Sequence, residues 1–225
     1  MQLKKQTGFT LVEIAIVLVI VGLLIGGVLK GQEMITNAKL KRIESDNAGI
    51  AAAMFSYQDR YLQLPGDDSD AKNRFDVYSA GSGTGLDANG DGDGVIGDGK
   101  DWNAKTGETW GDETHETLKF FAHLRAAGLV PGGGADDTRP TNAYGGQIGI
   151  QDGALQISGH VTIFGAIEGP IAKIVEGRLD DGSPETGRIQ SNESGGTSPP
   201  AMDAETDSGA GAYADGKRYN MAFRL

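Results

Sequence analysis

Cysteine is absent from the 225 residues. That removes thiol nucleophiles and any disulfide framework, while the count itself says nothing about redox environment. Histidine is almost as scarce: His115, His123 and His160 are too scattered for a zinc motif, and His123 reads as a half-buried neutral side chain on a helix. Basic charge is also short. Twenty Lys and Arg stand against 31 Asp and Glu, a formal net charge of −11, so no nucleic acid is expected as a partner through the overall field. There is no G-x-S-x-G elbow and no G-x-x-x-x-G-K-[ST] loop, and "GSGTG" has the wrong spacing for a dinucleotide fingerprint. The acid pairs Asp67-Asp68, Asp136-Asp137 and Asp180-Asp181 lie near glycine or proline and read as turn chemistry. No catalytic constellation emerges, and the chain is not expected to be an enzyme.

What the sequence does contain is one long apolar run, inside "KKQTGFTLVEIAIVLVIVGLLIGGVL", residues 4–29. From Phe9 to Leu29 its one charge is Glu13. As a helix it spans roughly 30 Å, the thickness of a bilayer's hydrocarbon core. A secretory signal peptide places its small-residue cleavage site after the apolar region. Here Gly8 sits before it, so cleavage at Gly8 removes only the basic leader and leaves the span attached. A carboxylate at such a depth costs on the order of 2.5–3.5 kcal/mol, so Glu13 needs an answering group. Lys4 and Lys5 before the span, with the acidic bulk after it, place the N-terminus in the cytoplasm and the rest outside.

A basic leader, Gly8, Phe9, Thr10-Leu11-Val12-Glu13 and a long apolar helix resemble a type IV prepilin, the precursor form of pilins, minor pilins and pseudopilins. The resemblance covers about the first 35 residues. It implies cleavage after Gly8 by a prepilin peptidase, N-methylation of Phe9, and extraction from the bacterial inner membrane, through an assembly platform, into a periplasmic or extracellular filament. It also implies a partner for Glu13, the new N-terminal amine of an adjacent subunit. Within one chain Glu13 lies one turn from the Phe9 amine, a second source of satisfaction.

Beyond the span the helix changes character. Leu40, Ile43, Asn47, Ile50, Met54, Tyr57 and Tyr61 recur at spacings of three and four, a narrow stripe on a polar helix that Pro65 stops. Then "QIGIQDGALQIS" reads as a hairpin with Ile148 and Ile150 on one arm, Leu155 and Ile157 on the other, and Asp152-Gly153 as its turn. "HVTIFGAI" offers a third strand and "YNMAFRL" a fourth or edge strand. Two short helices are expected, one capped by Asp112, with Leu118, Phe121 and Leu124 on one face and Gly128 as its stop. The other starts near Pro170 and carries Ile171, Ile174, Val175 and Leu179. The fold class is α+β, a long N-terminal helix packed on a small antiparallel sheet. The organisation is a leader at 1–8, a membrane or filament-core helix at 9–29, an amphipathic half at 30–64 and a globular domain at 65–225. Gly22, Gly26, Gly27 and Gly31 give two G-x-x-x-G spacings, suited to close helix approach or, as the resemblance suggests, to unwinding in a fibre.

Glycine supplies 36 residues, about twice its usual share of roughly 7%, and implies long loops. One of them, 81–101, contains "GLDANGDGDGVIGDGKD". Asp87, Asn89, Asp91, Asp93 and Asp98 fall at positions 1, 3, 5, 7 and 12 of an EF-hand-type calcium loop. Position 12 is Asp where Glu is usual, position 8 is Gly94, and no helix precedes the loop, so a hydrated acidic turn is the competing reading. Trp102 and Trp110 follow and are expected to pin the loop to the domain. Residues 191–217 read as an exposed loop, on the outer surface of a fibre or holding a second ion. The chain is therefore expected to be a filament subunit, in a homo-oligomer or a mixed pilin filament. The rival is a membrane-tethered extracytoplasmic calcium-binding protein that acts without polymerising.

Overall fold

The computed structural model describes residues 10–78, 88–97, 102, 116–134, 136, 138–194 and 209–225. The chain divides into two compact units, Met1–Lys41 and Arg42–Leu225. Helix α1 (Leu11–Tyr61) supplies the described part of the first unit and enters the second. From Leu11 to Leu29 its apolar side chains are exposed all round, including Leu18 and Leu23. It is the one described helix long and apolar enough to cross a membrane.

In the second unit the expected stripe is what α1 buries: Ile43, Ile50, Met54 and Tyr57 are all shielded from solvent. A hydrogen bond from the Thr162 hydroxyl to Asn47 Oδ1 fastens this stretch to the sheet. The helix stops where Leu62 turns left-handed, at φ 57°, three residues before Pro65. A short helix, α2 (Ala71–Arg74), and a 3-10 turn (Asp76–Tyr78) follow. Helix α3 (Glu116–Ala126) is buried on every side from Glu116 to Leu124, more than the single apolar face expected of it. Gly128, at φ 70°, ends it as anticipated, with Leu129 N–H donating to Leu124 O. Asp112, the expected cap, lies outside the described residues, as do Trp110 and His115.

The sheet has four antiparallel strands, β1 (Ile148–Ala154), β2 (Ile157–Glu168), β3 (Ile189–Glu193) and β4 (Arg218–Arg224), in the order β1-β2-β4-β3. Four sequence expectations need correction. The β1–β2 turn falls at Leu155-Gln156, with Leu155 at φ 55°, and Gly153 at φ 67° occupies a bulge two residues earlier. "HVTIFGAI" is the continuation of β2 and no separate strand. The C-terminal strand β4 is central, not an edge, because Tyr219 to Phe223 are buried on both faces and Asn220 finds partners in Ala166 N–H and Asn192 Oδ1. Strand β3 begins the segment read as exposed loop, its polar "QSN" concealing it from a hydrophobicity pattern. Trp102 is fully buried as expected of it, over Gly149 of β1 and Gly165 of β2, where a Cβ would lie 2.9 and 3.1 Å from its ring. Helix α4 (Gly169–Leu179) starts at Pro170 and buries Ile171, Ala172, Val175 and Glu176, whereas Ile174 and Leu179 are exposed. The whole is the α+β arrangement expected: a long N-terminal helix whose later part packs with a small antiparallel sheet.

Candidate functional site

Glu13 lies in the first turn of α1. Its Oε2 accepts from Thr10 N–H at 2.8 Å and from the Thr10 hydroxyl at 2.8 Å, while Glu13 N–H donates back to Thr10 Oγ1 at 3.3 Å. That reciprocal pattern is a capping box, and the "TLVE" spacing encodes it. Thr10 thus holds the Glu13 carboxylate, a contact that the charge and hydropathy pattern alone does not reveal. Gly8 and Phe9 lie outside the described residues. Around Glu13 the helix surface is unsatisfied in another sense. Each exposed Leu, Ile or Val gains roughly 1.5–3 kcal/mol on leaving water, so this surface requires lipid or other apolar helices. A Cβ at Gly22, Gly26, Gly27 or Gly31 would meet nothing within 4 Å, so nothing among the described residues requires their smallness.

The acidic loop presents the opposite arrangement. Residues 88–97 wrap around two buried carboxylates that come from elsewhere in the chain. Asp67, after the end of α1, accepts from Gly92 N–H at 2.7 Å, Asp93 N–H at 3.1 Å and Gly94 N–H at 2.9 Å. Glu116, at the start of α3, accepts from Asp91 N–H at 3.1 Å and Gly97 N–H at 3.0 Å. Gly90 permits the close approach, since a Cβ there would lie 2.4 Å from the Asp67 backbone. Gly92 adopts φ 80°, which lets successive amides converge on Asp67.

Burial pushes the Asp67 carboxyl up to about 6 despite the Gly94 and Gly92 amides, with Asp93 and Asp91 adding to the rise. Glu116 is pushed up to about 7, again first by burial, with Asp67 and Asp91 opposing its charge. One carboxylate oxygen from each of Asp67, Asp91 and Glu116 lies within 4.8 Å of the others.

Of the five loop residues expected to bind calcium, Asp87 and Asp98 lie outside the described residues. Asn89 Oδ1 accepts from Lys72 N–H at 2.8 Å. Asp91 Oδ1 and Asp93 Oδ1 accept from Asp93 N–H at 2.9 Å and Val95 N–H at 2.8 Å, two successive Asx turns. The structure therefore brings Asp91 to two carboxyls the loop pattern does not contain. Asp67 was hidden in a pair read as turn chemistry. Glu116 was hidden at a helix start.

Beneath the cradle lies a neutral histidine. His123 is fully buried rather than half-buried, with Nδ1 accepting from Gly66 N–H at 2.9 Å and Nε2 facing Ala88 O at 2.7 Å, which assigns the proton to Nε2. Burial drives it down to about 4. Beside it Tyr57 donates to Asp68 Oδ2 at 2.6 Å, and Arg74 pairs with both Asp68 oxygens at 2.9 and 3.3 Å. Burial opposes the Asp68 charge, but Arg74, Tyr57 and the Asp70 amide outweigh it and hold the carboxyl below its ordinary range.

A family model for the prokaryotic N-terminal methylation motif matches residues 3–29. This is the prepilin signature of type IV pilins and pseudopilins, and it supports a pilin-like subunit, with filament assembly and prepilin-peptidase processing as the general implication. No curated protein and no solved structure matches the chain. The motif and the apolar start of α1 agree with membrane anchoring.

Proposed function

We propose that the chain is a structural subunit of a type IV pilus or pilus-like filament, cleaved between Gly8 and Phe9, methylated at Phe9, and assembled through its apolar helix and Glu13. The observation that carries this reading is that the methylation motif coincides with a helix surface apolar on all sides, in a chain whose Arg42–Leu225 unit has its own core. A subunit of that kind resides first in the inner membrane as a single-pass protein with its N-terminus cytoplasmic. It then enters a periplasmic or extracellular fibre, alone or mixed with other pilins. Its role is assembly, without catalysis.

Calcium belongs to this reading at the acidic loop. The carboxyl trio of Asp67, Asp91 and Glu116 supports it, because a hard cation takes oxygen ligands and offsets the burial, and after it the like charge, that raises two of the three. Asp91 is the ligand common to this trio and to the loop's own series of Asp87, Asn89, Asp93 and Asp98.

Intact-mass measurement on sheared surface material tests the proposal. The expected result is a chain beginning at methylated Phe9, with Gly8→Val accumulating the uncleaved form and no fibre. A full-length monomer retained in the membrane fraction overturns it in favour of a tethered extracytoplasmic calcium-binding protein.

A further inference from the structure

We propose that Glu176, Asp180 and Asp181 form a second hard-cation site, where α4 ends and the chain turns towards β3. One carboxylate oxygen from each residue lies within 4.8 Å of the others. Oxygens on opposite sides of a calcium ion are separated by about twice its bond length of roughly 2.3–2.6 Å, so this spacing suits a single ion. All three donors are carboxylate oxygens, which selects calcium or magnesium over softer metals.

An orphaned atom points independently to a ligand. Glu176 is fully buried, at 0% exposure. Its Oε2 accepts from the Tyr213 hydroxyl at 3.1 Å, but its buried Oε1 has no hydrogen-bond partner. An unanswered buried carboxylate oxygen is rare and costly. The charges that act on it are those of Asp180 and Asp181, both of its own sign.

Those two acids are held in place by the turn. Asp180 Oδ2 accepts from Arg188 N–H and from Ile189 N–H at 2.8 Å. Asp181 accepts from Ser183 N–H at 2.8 Å and from the Thr186 hydroxyl at 2.5 Å. An ionised carboxylate offers about four lone-pair directions, so both retain capacity for a cation. The turn thus fixes two carboxylates beside a third that the fold has buried and left incomplete.

The competing occupant is a proton. Burial first, then the nearby Asp180 and Asp181 charges, pushes Glu176 up to about 8.

The test is calcium titration of the full chain in detergent by calorimetry, in an Asp91→Asn background that disables the acidic loop. The expected result is one calcium equivalent bound. Glu176→Gln weakens binding at least about tenfold, as does Asp181→Asn, whose side chain is exposed and whose loss spares the core. Absence of binding in the Asp91→Asn chain, or unchanged affinity in Asp181→Asn, overturns the site.

Discussion

Two glutamates show how differently the two units of this chain are satisfied. Glu13 sits on an exposed apolar helix and takes its hydrogen bonds from a residue three positions away. Glu116 is buried and takes its bonds from Asp91 and Gly97, 25 and 19 residues away, in a polar loop. The first carboxylate is answered locally while the surface around it is left for something outside the chain. The second is answered only when the chain has folded. The N-terminal segment is therefore built for association, and the Arg42–Leu225 unit for its own closure.

Glu13→Gln separates the two possible duties of that residue and has the largest expected effect. Glutamine serves at the third position of a capping box as glutamate does, so the Thr10 contact survives. The charge does not. Removing it also lowers the cost of staying in the bilayer, on the order of 2.5–3.5 kcal/mol, which favours retention over extraction. Surface fibre yield is expected to fall at least about tenfold, with mature subunit accumulating in the membrane and the thermal transition of the Arg42–Leu225 unit unmoved. Normal fibres from Glu13→Gln reduce the residue to a cap and erase the contrast with Glu116.

The next effect is on stability against pH. Asp67 and Glu116 rise on folding from ordinary values of 3.8 and 4.5 to about 6 and 7. Between those limits the folded chain binds more protons than the unfolded one, so their contribution is complete below about pH 4 and is lost as pH rises through 6 and 7. His123, lowered to about 4, acts in the other direction and costs stability as pH falls below about 6.5. With chelator present, Tm is expected to drop from pH 6 to pH 8 by on the order of 5 °C more in the wild type than in Glu116→Gln, whose amide cannot ionise. Equal pH slopes would show that the cradle does not hold Glu116 in the protonated form.

The same contrast explains what could be read in advance. The apolar span, the stripe from Ile43 to Tyr57, the Pro170 helix start and the Gly128 stop depend on neighbours within a few residues, and all were legible. The acid at Asp67 was visible but its role was not, because its three amide donors lie 25 to 27 residues away in the loop. The loop's Asp/Asn alternation did announce an oxygen-rich turn. Its centre is formed by two carboxyls that the alternation lacks. Strand β3 escaped because "IQSNE" carries one apolar residue, and β4 could be read only as a fourth or edge strand because strand order is set by pairings that no local pattern records. Thr10 is the opposite case, a cap encoded by a partner only three residues away.

The smallest expected effect comes from Thr10, and it sharpens the comparison where Glu13→Gln breaks it. Thr10→Ala keeps the Glu13 charge but removes both hydroxyl bonds, leaving the Thr10 N–H bond to the carboxylate. Loss of such a cap costs about 1 kcal/mol of local helix stability. Serine restores the hydroxyl, so Thr10→Ser is expected to match the wild type while Thr10→Ala lowers fibre yield only about two- to fivefold, with cleavage at Gly8 intact by mass. If the cap orients Glu13 towards a neighbouring amine, the double change Thr10→Ala with Glu13→Gln assembles no worse than Glu13→Gln alone, because there is no charge left to orient. An additional loss in the double variant assigns Thr10 a contact of its own in the fibre, separate from the carboxylate it caps.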